Sequence, residues 1–243
     1  MRKPTLLVLL LPLALLLVSV GGVSAQFGNK VADTPHNLSW AAKSPMPIKD
    51  YGQICVYCHT PHNNNTEVEA PFWNRSTPTG PYTMYSSPSI DMDIAQSPQG
   101  VSLACLSCHD NTIALDAIVN VPSSYQENAG GGMGGGTSGG GTIGSCAGSC
   151  HTGNNPAGGL NFEGSNLGTN LSNDHPISIT YDPSKDPNFY PASNGKVGTL
   201  PLYGPNHDQV ECATCHNPHD NSNRPFLRMS NNGSALCLTC HNI

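Results

Sequence analysis

The ten cysteines of this 243-residue chain fall without remainder into five pairs, and a histidine stands directly after each pair. The pairs are Cys55/Cys58 with His59, Cys105/Cys108 with His109, Cys146/Cys150 with His151, Cys212/Cys215 with His216, and Cys237/Cys240 with His241. Only 10 of 243 residues are histidine, so five such coincidences are not chance. Two cysteines two residues apart, with histidine after the second, is the pattern of covalent c-type haem attachment. Each thiol forms a thioether to a haem vinyl group, and the adjoining imidazole becomes the proximal iron ligand. Five haem c groups are therefore expected. Disulfides in an exported chain would leave the recurrent histidine without a reason, and zinc ribbons need cysteine pairs in twos, which five cannot satisfy.

The remaining histidines are His36, His62, His175, His207 and His219. Five irons need five sixth ligands and five histidines are spare, which favours bis-histidine ligation throughout. Methionine is the competing ligand, but Met46, Met84, Met92, Met133 and Met229 follow no regular placement and are expected against porphyrin faces.

Residues 1–25 read as a signal peptide: Arg2 and Lys3, an apolar run from Leu6 to Val18, and a small-residue cleavage site at Val23-Ser24-Ala25. An uncleaved anchor is the alternative, but the apolar core is short for a span. The reading predicts a secreted protein, extracellular or at the cell surface with the periplasm as alternative, and no membrane span after cleavage. Cleavage leaves 8 basic against 16 acidic residues. With haem propionates adding negative charge, nucleic acid is not an expected partner. The mature 218 residues would carry about one haem per 44 residues, too little protein for an apolar core around each. The expected fold is therefore mostly irregular coil with short helices, a multihaem cytochrome c in which stacked haems form the core.

Along the chain, 26–128 reads as an N-terminal two-haem region, 129–145 as a Gly-rich tether and 146–243 as a C-terminal three-haem region. From Gly130 to Gly144, 10 of 15 residues are glycine, a flexible tether with an end-to-end distance on the order of 20 Å. The Cys146 motif has three intervening residues instead of two, so a Cys146–Cys150 disulfide is its alternative. Prolines at 71, 78, 81, 88 and 98 predict an extended loop whose aromatics, Phe72, Trp73, Tyr82 and Tyr85, lie on a macrocycle. A short helix is expected over Ile113 to Val119, and a short strand over His175 to Tyr181.

Two motifs continue alike, as His59-Thr60-Pro61-His62 and His216-Asn217-Pro218-His219. Three residues reach about 10 Å at most, too little to wrap a haem edge, so the second histidine must serve a different iron from the first. Neighbouring imidazoles on different irons would stack the haems. The assignment expected from sequence order gives His62 to the Cys105/Cys108 haem and His219 to the Cys237/Cys240 haem.

The stretches Cys55-Val56-Tyr57-Cys58-His59-Thr60-Pro61-His62, Ala70-Pro71-Phe72-Trp73-Asn74-Arg75, Ser102-Leu103-Ala104-Cys105-Leu106-Ser107-Cys108-His109 and Asn173-Asp174-His175-Pro176, with the doubled C-terminal motif, resemble outer-surface multihaem cytochromes of metal-respiring microbes. Some members of that family polymerise into extracellular filaments. The resemblance implies electrons passing from haem to haem, other redox proteins and extracellular electron acceptors as partners, and a homopolymer in which a neighbouring subunit donates one sixth ligand. His36 is the candidate for that donor. A monomeric electron shuttle is the runner-up. A multihaem oxyanion reductase, which needs an open iron site and anion-binding groups, fits less well with sparse basic residues and a histidine for every iron.

Overall fold

With 21 prolines and 26 glycines in the chain, long helices and wide sheets are interrupted before they form. The computed structural model describes residues 31–39, 49–124 and 165–243. The signal segment, the Gly-rich tether and the Cys146/Cys150/His151 motif lie outside them. Two α-helices are short, α1 (Ser102–His109) and α2 (Cys212–Cys215), and 3-10 turns span Cys55–Tyr57, Asn232–Ser234 and Cys237–Thr239. Four two-residue strands make two antiparallel ladders. Strand β1 (Ile179–Thr180) pairs with β4 (Gln209–Val210), Ile179 opposite Val210. Strand β2 (Lys196–Val197) pairs with β3 (Leu200–Pro201). Apart from a helical end at residues 31–32 and isolated bridges, the other described residues are coil and turns, as composition predicts.

The expected helix over Ile113 to Val119 is absent. The Arg75 guanidinium takes the carbonyls of Ala114 and Leu115, both at 2.8 Å, and the Val119 amide donates to Asn74 O instead of closing a helical turn. The expected strand after His175 is realised only at its end, because Ser178 adopts φ 52°, outside extended geometry.

Apolar burial is divided among small clusters. One gathers Met92, Ile179, Tyr181, Val197, Leu202 and Val210 around the β1–β4 ladder, with Cys240 packed against it. A second holds Tyr51, Val56 and Tyr57 with Cys58 alongside, and a third Val68, Trp73 and Ala104, again with Cys58. Met92 and Trp73 pack within these clusters, Trp73 beside Cys58, and the Tyr82 hydroxyl donates to Asp110.

Asn74 shows how coil is held in place. It is fully buried; its Nδ2 donates to Val56 O at 2.7 Å, and its Oδ1 accepts from Asn120 N at 2.8 Å. Asn74→Ala strands those buried groups, and we expect a loss of about 2–4 kcal/mol in denaturant unfolding. An unchanged midpoint would show the bonds to be dispensable.

Candidate haem sites

Each described cysteine pair sits on one helical turn. The amides of His59, His216 and His241 donate to the carbonyls of Cys55, Cys212 and Cys237 at 2.8, 3.0 and 3.0 Å, and Cys105, Cys108 and His109 lie within α1. On a helix, positions i, i+3 and i+4 share a face, so both thiols and the imidazole of each motif face one side. All eight described cysteines are free thiols. Among the described residues no three His, Cys, Asp or Glu side chains converge to hold a bare ion. This donor set, two thiols and one imidazole per turn, suits a group that supplies its own equatorial ligands.

The histidines come together in pairs. His59 faces His219 with ring centroids 6.0 Å apart, His109 faces His36 at 6.1 Å, and His241 faces His175 at 6.3 Å. Two imidazole–metal bonds of about 2 Å and two ring radii of about 1.1 Å place the centroids about 6 Å apart across a shared ion. The spacing fits one iron between each pair. Each pair joins a motif histidine to one of the spare five.

Backbone carbonyls orient the rings. The Nδ1 atoms of His59, His109 and His216 lie 2.7, 2.6 and 2.9 Å from the carbonyls of Pro71, Ser165 and Pro225. Those of His36 and His175 lie 3.1 and 2.9 Å from Pro218 O and Pro176 O. A carbonyl can only accept, so Nδ1 carries the proton and donates it, leaving the Nε2 lone pair for a metal. Burial lowers the pKa of His219, helped by His59, and that of His241, helped by His175. Both effects hold the rings in the neutral form that ligates.

The ring pairs differ from the assignment drawn from sequence order. His219 faces His59, not His241, and His109 faces His36, not His62. His36, the expected donor to a neighbouring subunit, stacks within this chain on Phe226 at 4.3 Å and 20°. His62 and His207 are exposed, and among the described residues neither they nor His216 face another imidazole. His219 lies against a motif histidine other than the one three residues before it.

The reason is a structural repeat. After His59, Thr60 N donates to Phe72 O at 2.8 Å, Asn74 N to Cys58 O at 2.9 Å, and His59 bridges Trp73. After His216, Asn217 N donates to Phe226 O at 2.7 Å, Arg228 N to Cys215 O at 2.9 Å, and His216 bridges Leu227. Phe72 and Phe226 both take left-handed backbone angles, φ 54° and 57°, rare for an aromatic residue. That turn aims the preceding proline carbonyl at the motif histidine. Sequence reading missed this unit; the repeated Pro-Phe dipeptide downstream of each His-x-Pro-His was the available signal.

The thiols mark the spatial order of the sites. Burial pushes the Cys58 thiol up to about 12, with Cys108 adding to it. Cys105 and Cys212 lie side by side, and each acts on the other's proton affinity, raising the first and lowering the second. Cys215 is raised by burial and then by Cys237. The four described motifs therefore adjoin in chain order. Beside the first motif lies a mainly apolar cleft of about 490 Å³, lined by Cys55, Val56, His59, Thr60, Phe72 and Val121 among others, within the range of about 300–1,000 Å³ usual for cofactor sites.

Residues 204–242 match the family model described as a doubled CXXCH motif. That segment holds both C-terminal cysteine pairs and their histidines, and the match indicates covalently bound c-type haem and electron transfer. No curated protein matches the chain.

Proposed function

We propose that the protein is a five-haem, bis-histidine electron carrier that works outside the cytoplasm and polymerises into a filament passing electrons to external acceptors. The observation that carries the reading is the set of imidazole pairs at 6.0–6.3 Å, each uniting a Cys-x-x-Cys-His histidine with a distant one. Bound there, haem supplies one-electron iron redox chemistry, kept at low potential by imidazole on both sides. The chain's own residues hold the ligating nitrogens, and motifs adjoining in sequence order place successive sites side by side.

The repeat supports the polymer. His62 holds the place in the first unit that His219 holds in the second, and both are exposed, but among the described residues His62 has no imidazole opposite and neither has His216. In a polymer, His62 of one copy completes the His216 iron of the next, taking the role first expected of His36. His207 then remains for the His151 iron.

Intact mass and pyridine haemochrome assay of the native protein are expected to give five haems per chain; four would remove the Cys146/Cys150 site, and none would overturn the reading. His62→Ala is expected to leave only discrete particles in negative-stain images and one high-spin iron per chain. Filaments persisting in that variant would show that His62 does not join the copies.

A further inference from the structure

Glu211 is a carboxylate that the haem reading leaves without a task. It is 1% exposed and sits just before α2, against the start of α1. Its Oε2 accepts from the hydroxyls of Ser102 and, at 3.0 Å, Ser178. Ser102 Oγ accepts in turn from Cys212 N at 2.9 Å, so one hydroxyl ties the carboxylate to both cysteine-bearing helices. Its Oε1 is buried with no hydrogen-bond partner. An ionised carboxylate with an orphan oxygen at this depth is costly.

The orphan oxygen lies near a second carboxylate. A Cβ added at Gly100 would lie 3.0 Å from Glu69 Oε2 and 3.9 Å from Glu211 Oε1, so the two carboxylates meet at one glycine. Glu69 is exposed. Gly100 has φ +53°, and any side chain there would press on the Glu69 carboxylate.

We propose that Glu211 is a proton-binding site coupled to reduction of the haem at Cys212/Cys215: when that iron gains an electron, Glu211 takes up one proton from solvent by way of Glu69, and on oxidation it releases it. The inference rests on the haem reading above. The balance is one electron from a neighbouring haem, which reduces ferric to ferrous iron, and one proton, which turns carboxylate into carboxylic acid. Only the O–H bond forms, and the net charge of the site is unchanged.

The electrostatics suit the task. Burial raises the carboxyl to about 7; the Ser102 and Ser178 donors pull it down and Glu69 pushes it up. Glu69 is the charged group facing it from the 65–77 loop; α1 and the Ser178 segment present hydroxyls, and α2 presents Cys212, a thioether once haem is attached. Iron reduction adds negative charge nearby and raises proton affinity further. The midpoint potential of this haem therefore falls as pH rises through the neutral range.

Spectroelectrochemical titration of the full haem-loaded protein between about pH 5 and 9 tests this. One haem is expected to lose up to about 59 mV for each tenfold drop in proton concentration. In Glu211→Gln that slope disappears, with haem count unchanged. A slope that persists in this variant, or potentials of the native protein that are flat with pH, overturns the proposal. Should Glu211→Gln fail to load haem, Ser178→Ala serves: losing a donor to the ionised form moves the pH-dependent window upward, and an unmoved window overturns the proposal. Absence of haem from the Cys212/Cys215 peptide would instead sink the haem reading itself.

Discussion

His219→Ala is expected to open the iron at the opposite end of the chain, the one carried by Cys55 and Cys58. His219 faces His59 at 6.0 Å with a 33° tilt, and its neutral form is favoured by burial. Removing it leaves the His59 iron with one imidazole, so one high-spin haem per chain and one equivalent of bound CO should appear where the parent binds none. Haem attachment is untouched, because the Cys55 and Cys58 thiols lie on their own 3-10 turn. Location is settled by combination. Adding Cys55→Ala and Cys58→Ala should abolish CO binding, whereas adding Cys237→Ala and Cys240→Ala should leave it. The reverse pattern would restore the pairing inferred from sequence order.

The contrast shows what a sequence of this kind carries. Attachment sites are legible because thioether chemistry needs two thiols and an imidazole on one helical turn, a local requirement written in consecutive residues. Irregular folding is legible too, since proline and glycine act locally. Distal pairing is not local. His36 reaches His109 because Phe226, far along the chain, stacks on it, and because Pro218 O accepts from its Nδ1. Nothing in the residues flanking His36 encodes either partner. The reading paired histidines with the next motif, while the structure pairs them through the docking of two repeated units. Residues of 26–128 and 146–243 meet directly at the Cys105–Cys212 contact and the Ser102–Glu211 bond. Such contacts depend on tertiary burial that composition does not reveal.

Arg75 illustrates the same limit and sets the second large effect. Sequence reading valued it only as part of a recognisable stretch, Ala70 to Arg75. In the structure it is fully buried. Its Nε donates to Ser107 Oγ at 3.2 Å, Nη2 to the carbonyls of Ser107 and Ala114 at 2.8 Å each, and Nη1 to Leu115 O at 2.8 Å. One side chain thus terminates the carbonyls that a helix after His109 would have used, and fastens that coil to α1 beside Cys108. Arg75→Ala leaves a cavity and four acceptors without donors, each costing about 1–3 kcal/mol. Release from burying a cation offsets part of this, so the net loss should be about 3–5 kcal/mol, among the largest single-residue effects. Arg75→Lys keeps the charge but replaces a planar five-donor fork with three donors at one point, and should recover less than half of the loss. Denaturant midpoints of the haem-loaded variants measure both changes, and haem content of the Cys105/Cys108 peptide reports whether α1 still forms. Equal midpoints for parent and Arg75→Ala would mean that water replaces the guanidinium without cost, and that the coil from Asp110 to Asn120 is held by its other contacts.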